Sequence, residues 1–221
     1  IIQTLNGEGQ PAHHGVVPNF GLYDNSKISG YTYNPELARQ LLAEAGYPNG
    51  EGFPPLAMTL SDGGGRNSRV AEVIYHMIKQ NLGIHLDIDV VPFTTILEKM
   101  QTGDLEFSRR GWVADYPDAA TFLEIYYGRT VPEDPHAVSM VNTSRYKNPK
   151  FDALFEEALR TSDEKERIKL YQECDRILVE DAAFLPLYYA DYVRLVKHNV
   201  VGFPINAMDY RDLSEVFFTK K

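Results

Sequence analysis

The chain has 221 residues, 43% of them hydrophobic and 24% charged, with a formal net charge of −9 and a pI near 5.2. That length buries a real core and suggests one globular domain with an appendage. No apolar run approaches the length of a membrane span, and the acidic balance argues against nucleic acid, which is bound through basic surface. The single cysteine, Cys174, excludes an intrachain disulfide. Its spacing from Leu170, Tyr171, Ile177 and Leu178 sets it on the apolar face of a helix, as a small core residue rather than a reactive thiol.

Residues 1–32 are rich in turn chemistry and hold no sustained period. The opening IIQTLNGEGQP reads neither as a signal peptide nor as a clean domain start. His13 and His14 are adjacent, so on a regular element they point apart, and a metal site there needs ligands from elsewhere. Residues 33–47 carry a helix pattern: Asn34 as N-cap, Pro35 in the first turn, Leu37, Leu41 and Leu42 with Ala38 and Ala45 as the apolar stripe, and Gly46 as the stop. Residues 56–60 alternate as a strand. The following SDGGGRNS lacks the Lys and Ser/Thr of a phosphate loop and reads as a turn, with Asn67 or Ser68 capping the next helix. Residues 69–82 place Val70, Val73, Ile74, Met77 and Ile78 on one stripe. In residues 84–91, Ile84, Leu86, Ile88 and Val90 face one way. His85, Asp87 and Asp89 face the other, as the polar side of a strand or a cation row. A short helix is expected over 95–102, with Thr95 and Glu98 as a capping box and Gly103 as its end. The order is therefore βαβαβ, with helices packed on a largely parallel sheet.

The third strand leads into LEFSRRGWVADYPDAATFL, residues 105–123. Leu105 and Phe107 share one parity, and Arg109 falls on the same face if the strand continues. A guanidinium in an apolar row calls for an anionic partner. Gly111 permits a close approach, and Pro117 ends the ladder. The strand thus delivers the chain's only tryptophan, Trp112, and two acids, Asp115 and Asp118, to its carboxyl end, where open α/β sheets bind ligands. Beyond it, residues 122–143 read as a surface excursion, with a glycosylation sequon at Asn142. Asn148-Pro149 opens a helix with Phe151, Leu154, Phe155, Ala158 and Leu159 inward. Asp163, with Glu166, opens another whose stripe is Ile168, Tyr171, Cys174 and Leu178. Residues 184–189 and 192–197 read as strands.

GWVADYPDAATFL resembles the signature loop of the peptide type of bacterial extracellular solute-binding proteins, the receptors of ABC importers. YNPELARQLLAEAGYP (33–48), YKNPKFDALFEEAL (146–159) and FLPLYYADYVRLVK (184–197) resemble companion segments, in the family's order. The resemblance implies an α/β, periplasmic-binding-protein-like lobe of type II, with a mixed, mostly parallel sheet flanked by helices. It implies a ligand-binding lobe over residues 1–192, and a return segment and tail over 193–221 running towards another lobe. Because members of the family are much longer, the chain is expected to be a C-terminal fragment, with any signal peptide or lipid anchor upstream.

By the same resemblance, Asp115 grips a ligand α-ammonium, Gly111 and Trp112 lie along the ligand, Arg109 meets its carboxylate, and Phe93 lines a side-chain pocket. Met100 and Ala190 depart from the oligopeptide binders, which carry an arginine and a tyrosine there, so ligand length stays open. Oligosaccharides, nickel complexes and opines are alternative solutes within the family. The expected partners are a peptide or other small solute and membrane permease subunits, with no cofactor, metal or nucleic acid. The protein is expected to be a monomer in the periplasm or outside the cell, associated with the membrane. Against this stand two readings of the residues alone. In the first, Asp115 pairs with Arg109 or Arg110 and Trp112 is core. In the second, Asp115 and Asp118 form a hydrolase acid/base pair, which neighbouring arginines disfavour by lowering both carboxyl pKa values.

Overall fold

In the computed structural model, which describes residues 1–61 and 65–220, the chain runs through short β-elements and longer helices. The elements are β1 (Gln10–Pro11), α1 (Pro35–Glu44), β2 (Leu56–Ser61), α2 (Gly65–Leu82), β3 (Leu86–Val91), α3 (Phe93–Thr102), β4 (Phe107–Ser108), α4 (Ala120–Leu123), α5 (Pro149–Arg160), α6 (Glu164–Glu180), β5 (Tyr188–Tyr189), β6 (Val200–Val201) and β7 (Phe217–Phe218). The expected βαβαβ unit is present. Its sheet is parallel, in the order β3-β2-β4, with Leu56 opposite Leu86 and Met58 opposite Phe107. Two short antiparallel pairs, β1 with β5 and β6 with β7, make the whole mixed.

Two hydrophobic clusters hold these elements. One gathers Met58, Leu60, Val70, Ala71, Ile74 and Leu86 of the βαβ unit, and Leu5 of the N-terminal arm joins it. The other gathers Phe122, Leu123, Ile125 and Tyr126 with Phe151 and Phe155 of α5 and Tyr171, Cys174 and Leu178 of α6. Val17, Phe20 and Tyr23 of the same arm enter this second cluster, so residues 5–23 tie the two together. Cys174 is fully buried, and burial pushes its thiol up to about 12.

A buried carboxylate fastens the arm. Asp175, fully enclosed on α6, accepts the backbone N–H groups of Val16 at 2.7 Å and Val17 at 3.3 Å, and the Tyr23 hydroxyl at 2.8 Å. Loss of hydration raises its pKa to about 6 despite these donors. A Cβ on Gly15 would come within 2.0 Å of Asp175 Oδ2, so only glycine lets the arm lie this close.

Several local expectations are corrected. α3 begins at Phe93, not Thr95: Pro92 takes the N-cap position, and no side chain caps the helix. Asn67 and Ser68 lie inside α2, and residues 62–64 of the expected glycine turn fall outside the described residues. Of residues 122–143, expected as a surface excursion, the first turns are core instead, and only the later part, 133–141, is mostly exposed. Asn142 is fully buried, with its amide donating to the Tyr127 and Tyr146 carbonyls at 3.2 and 2.8 Å, which removes the sequon from the surface. Of the strands expected over 184–197, only Tyr188–Tyr189 forms. Leu159 is exposed, as are Ile88 and Val90 on the edge strand β3, and α1 buries none of its residues. His14 Nδ1 lies 2.8 Å from the Ile28 carbonyl, and His85 lies 3.2 Å from Asp87. No group of three or more metal-binding side chains occurs among the described residues.

Candidate functional site

Because β2, β3 and β4 are parallel, their carboxyl ends share one edge of the sheet. Phe93 emerges there after β3, and residues 109–118 emerge after β4. The ladder runs one residue past β4, where the Arg109 N–H donates to the Thr59 carbonyl at 3.3 Å. The chain then passes from the cluster that holds Phe107 to the cluster that holds Ala114. The site loop is therefore anchored in both.

Arg109 turns towards β5. Its Nη2 donates to the Tyr188 hydroxyl at 2.5 Å, and its guanidinium carbon lies 5.8 Å from the centre of that ring. The anionic partner expected from the sequence is replaced by a phenol. A neutral acceptor does not cancel the charge, and Arg109 Nε is buried without a partner among the described residues. Arg110 instead lies 4.8 Å over the Trp112 ring and donates through Nη1 to Thr143 Oγ1 at 2.7 Å.

Trp112 is half-buried against the second cluster. Its indole Nε1 donates to Thr121 Oγ1 at 3.4 Å, and the Asp115 backbone N–H donates to the same oxygen at 3.2 Å. One hydroxyl, with two lone pairs, thus sets both the aromatic plane and the turn that carries Asp115. Ala114 is buried between them, while Asp115 itself stands exposed. Its carboxylate has no hydrogen-bond or ion-pair partner among the described residues, since Arg109 and Arg110 are engaged elsewhere.

Asp118 plays a different part. Its Oδ1 accepts the Ala120 N–H at 2.9 Å, at the start of α4, and its Oδ2 lies 3.3 Å from Arg167 Nε on α6. The two acids are thus divided into a fixed structural one and an open one, rather than set as a matched acid/base pair. Gly111 is exposed, and a Cβ placed on it would meet nothing within 4 Å. Nothing among the described residues requires glycine there, so the room in front of its backbone faces outward.

Of the five residues singled out in the sequence, Arg109, Gly111, Trp112 and Asp115 lie on one loop. Phe93, 65% exposed at the first turn of α3, shares only the edge of the sheet. Sequence reasoning missed Thr121, Thr143 and Tyr188 as the groups that fix this loop. The only local sign of the first is a polar residue in the otherwise apolar turn ATFL of α4.

The pattern of bacterial extracellular solute-binding proteins, family 5 Middle, matches residues 1–133. The chain is 29% identical over 214 residues to the periplasmic oligopeptide-binding protein OppA of Escherichia coli, covering 92% of this chain and 36% of that protein. It is 30% identical over 216 residues to di/tripeptide-binding protein 2 of Pseudomonas aeruginosa, covering 96% of this chain and 39% of that protein. The chain therefore spans little more than a third of the length of these relatives. Among solved structures, the periplasmic binding protein DppA of Helicobacter pylori in complex with the peptide STSA superposes with a TM-score of 0.80 at 28% identity, over 99% of this chain and 41% of that one. The parallel unit, the loop at its carboxyl edge and these matches agree: the chain belongs to the bacterial extracellular solute-binding proteins of family 5.

Proposed function

We propose that this chain is one lobe of a two-lobed receptor that captures a peptide between its lobes and delivers it to the permease of an ABC importer. The observation that carries this reading is the open Asp115 carboxylate, held on a rigid turn by Thr121 beside an aromatic plane fixed by the same hydroxyl. A free peptide offers an ammonium at one end, a carboxylate at the other, and a backbone that does not vary. A receptor for many sequences grips those features and leaves side chains loosely held. Asp115 takes the ammonium through a charge-assisted bond. The open face of Gly111 receives backbone, Trp112 forms a wall, Arg109 offers its charge to the carboxylate, and Phe93 lines a neighbouring side-chain pocket.

Residues 1–192 form the lobe and 193–221 the return segment. Leu195 and Phe218 in that segment are 96% and 75% exposed, as expected of side chains that pack against a second lobe. The receptor works as a monomer in the periplasm or at the outer face of the cell, carried by a lipid anchor upstream. It turns over no substrate and uses no cofactor. Closure over ligand is a hinge motion that the permease recognises.

Calorimetry on the complete receptor tests this, using matched peptides with free and acetylated N-termini. Free peptides should bind and acetylated ones should not, and Asp115→Asn should abolish the difference. Equal binding of both forms by the native receptor would remove the ammonium clamp, and no binding of either would remove the peptide.

A further inference from the structure

Among the described residues, seven arginines meet a carboxylate, Arg66, Arg129, Arg160, Arg167, Arg176, Arg194 and Arg211, and Arg110 is not one of them.

 On a chain with 31 acidic and 22 basic side chains, Arg110 shares with Arg39, Arg69, Arg109 and Arg145 the lack of a carboxylate partner among the described residues, and it alone of these is stacked on the Trp112 ring. Arg110 sits between Arg109, whose partner is a phenol, and Gly111, whose outer face is open. It is held on both sides, by the Trp112 ring at 4.8 Å and by Thr143 Oγ1 at 2.7 Å, yet it remains exposed. Of its five N–H donors, the Thr143 bond uses one. Packing against Trp112 strips part of its hydration, which draws its pKa down, and no carboxylate offsets that loss.

We propose that Arg110 is a specificity-determining residue that selects ligands presenting a carboxylate over the Gly111–Trp112 face, from an acidic side chain or from the chain end. The inference rests on the peptide reading above and adds a preference to it. Asp115 and Arg110 give the loop a negative and a positive pole five residues apart in sequence, so a ligand with an ammonium at one pole gains from an anion at the other. Because Trp112 and Thr143 fix the guanidinium beforehand, little side-chain freedom is lost when the anion arrives.

The test is calorimetry on the complete receptor, with an alanine tetrapeptide and variants carrying Glu or Gln at each position in turn. Every peptide is made with a free and an amidated C-terminus, and one set with an acetylated N-terminus. At one position Glu should bind about three- to tenfold more tightly than Gln if the anion is a side chain. If it is the chain end, the free acid should exceed the amide by a similar factor. Arg110→Met, which keeps the packing on Trp112, should abolish the preference, and Arg110→Lys should keep part of it. The proposal is overturned if no anion preference exists, or if it survives in Arg110→Met. In either case, continued loss of binding on acetylation leaves the peptide reading standing. If no peptide binds, that reading and this proposal fall together.

Discussion

Thr121 holds Trp112 by its indole nitrogen, Nε1 to Oγ1 at 3.4 Å, and the same oxygen receives the Asp115 amide. Thr121 is fully buried, so the hydroxyl has no competing water. The placement of Trp112 and of the Asp115 turn therefore rests on a side chain that is itself enclosed.

Thr121→Val tests this directly. Valine keeps the branched shape but offers no acceptor to the two donors. The expected cost is about 1 to 2 kcal/mol, read as a lower urea midpoint. Trp112 is the only tryptophan, so its fluorescence reports the site without background. Its emission should move towards that of solvated indole before global unfolding begins. An unchanged spectrum and midpoint would show that packing alone fixes the loop.

The pH dependence of stability should carry the signature of Asp175. Its pKa in the folded chain, about 6, lies above the ordinary 3.8. Between those values the folded chain binds the proton more tightly than the unfolded chain. The contribution is complete below about pH 4 and is lost as pH rises through about 6. Urea stability should therefore fall by about 1 to 3 kcal/mol between about pH 4.5 and about pH 7. Asp24, Asp181, Asp209 and Asp212, all lowered by hydrogen bonds, act below 3.8 and outside this window. Asp175→Asn should remove the slope. A slope that persists in that variant would assign it to other groups.

Gly15 and Asp175 should be energetically coupled. A methyl group at residue 15 collides with the carboxylate that the neighbouring amides need. Gly15→Ala should cost about 2 kcal/mol or more alone, and much less in an Asp175→Ala background, where the space is free. A double-mutant cycle by urea unfolding measures the difference. Additive effects would mean that the arm does not lie against α6 in solution.

What could be read from the sequence was local. Asn34, Asn148 and Asp163 cap their helices as expected, with side chains accepting the amides of Leu37, Phe151 and Glu166. Caps act within one turn, and the alternation of β2 and the stripe of α2 act within one element. The site loop was legible because it is contiguous. Asp175 was not, since an acid amid the charges of α6 looks like solvent-facing surface, and its partners lie up to 159 residues away. The strand expected over 192–197 failed for a related reason: alternation marks a possible face but supplies no neighbour to pair with. The stripe of α1 is apolar, as its spacing predicts, yet Leu37 and Leu41 remain exposed because amphipathicity does not create the surface that covers it.

The bond between Val16 and Asp175 also sets an order of events during synthesis. The arm leaves the ribosome ahead of its anchor on α6, which follows 159 residues later. At about 5 to 20 residues per second, that is a delay of roughly 8 to 30 s. Through that interval Val17, Phe20 and Tyr23 have no α6 to dock on, while the parallel unit between them can already form. The arm is thus made before its partner and docks only after it, and until then its apolar residues stay open to a chaperone.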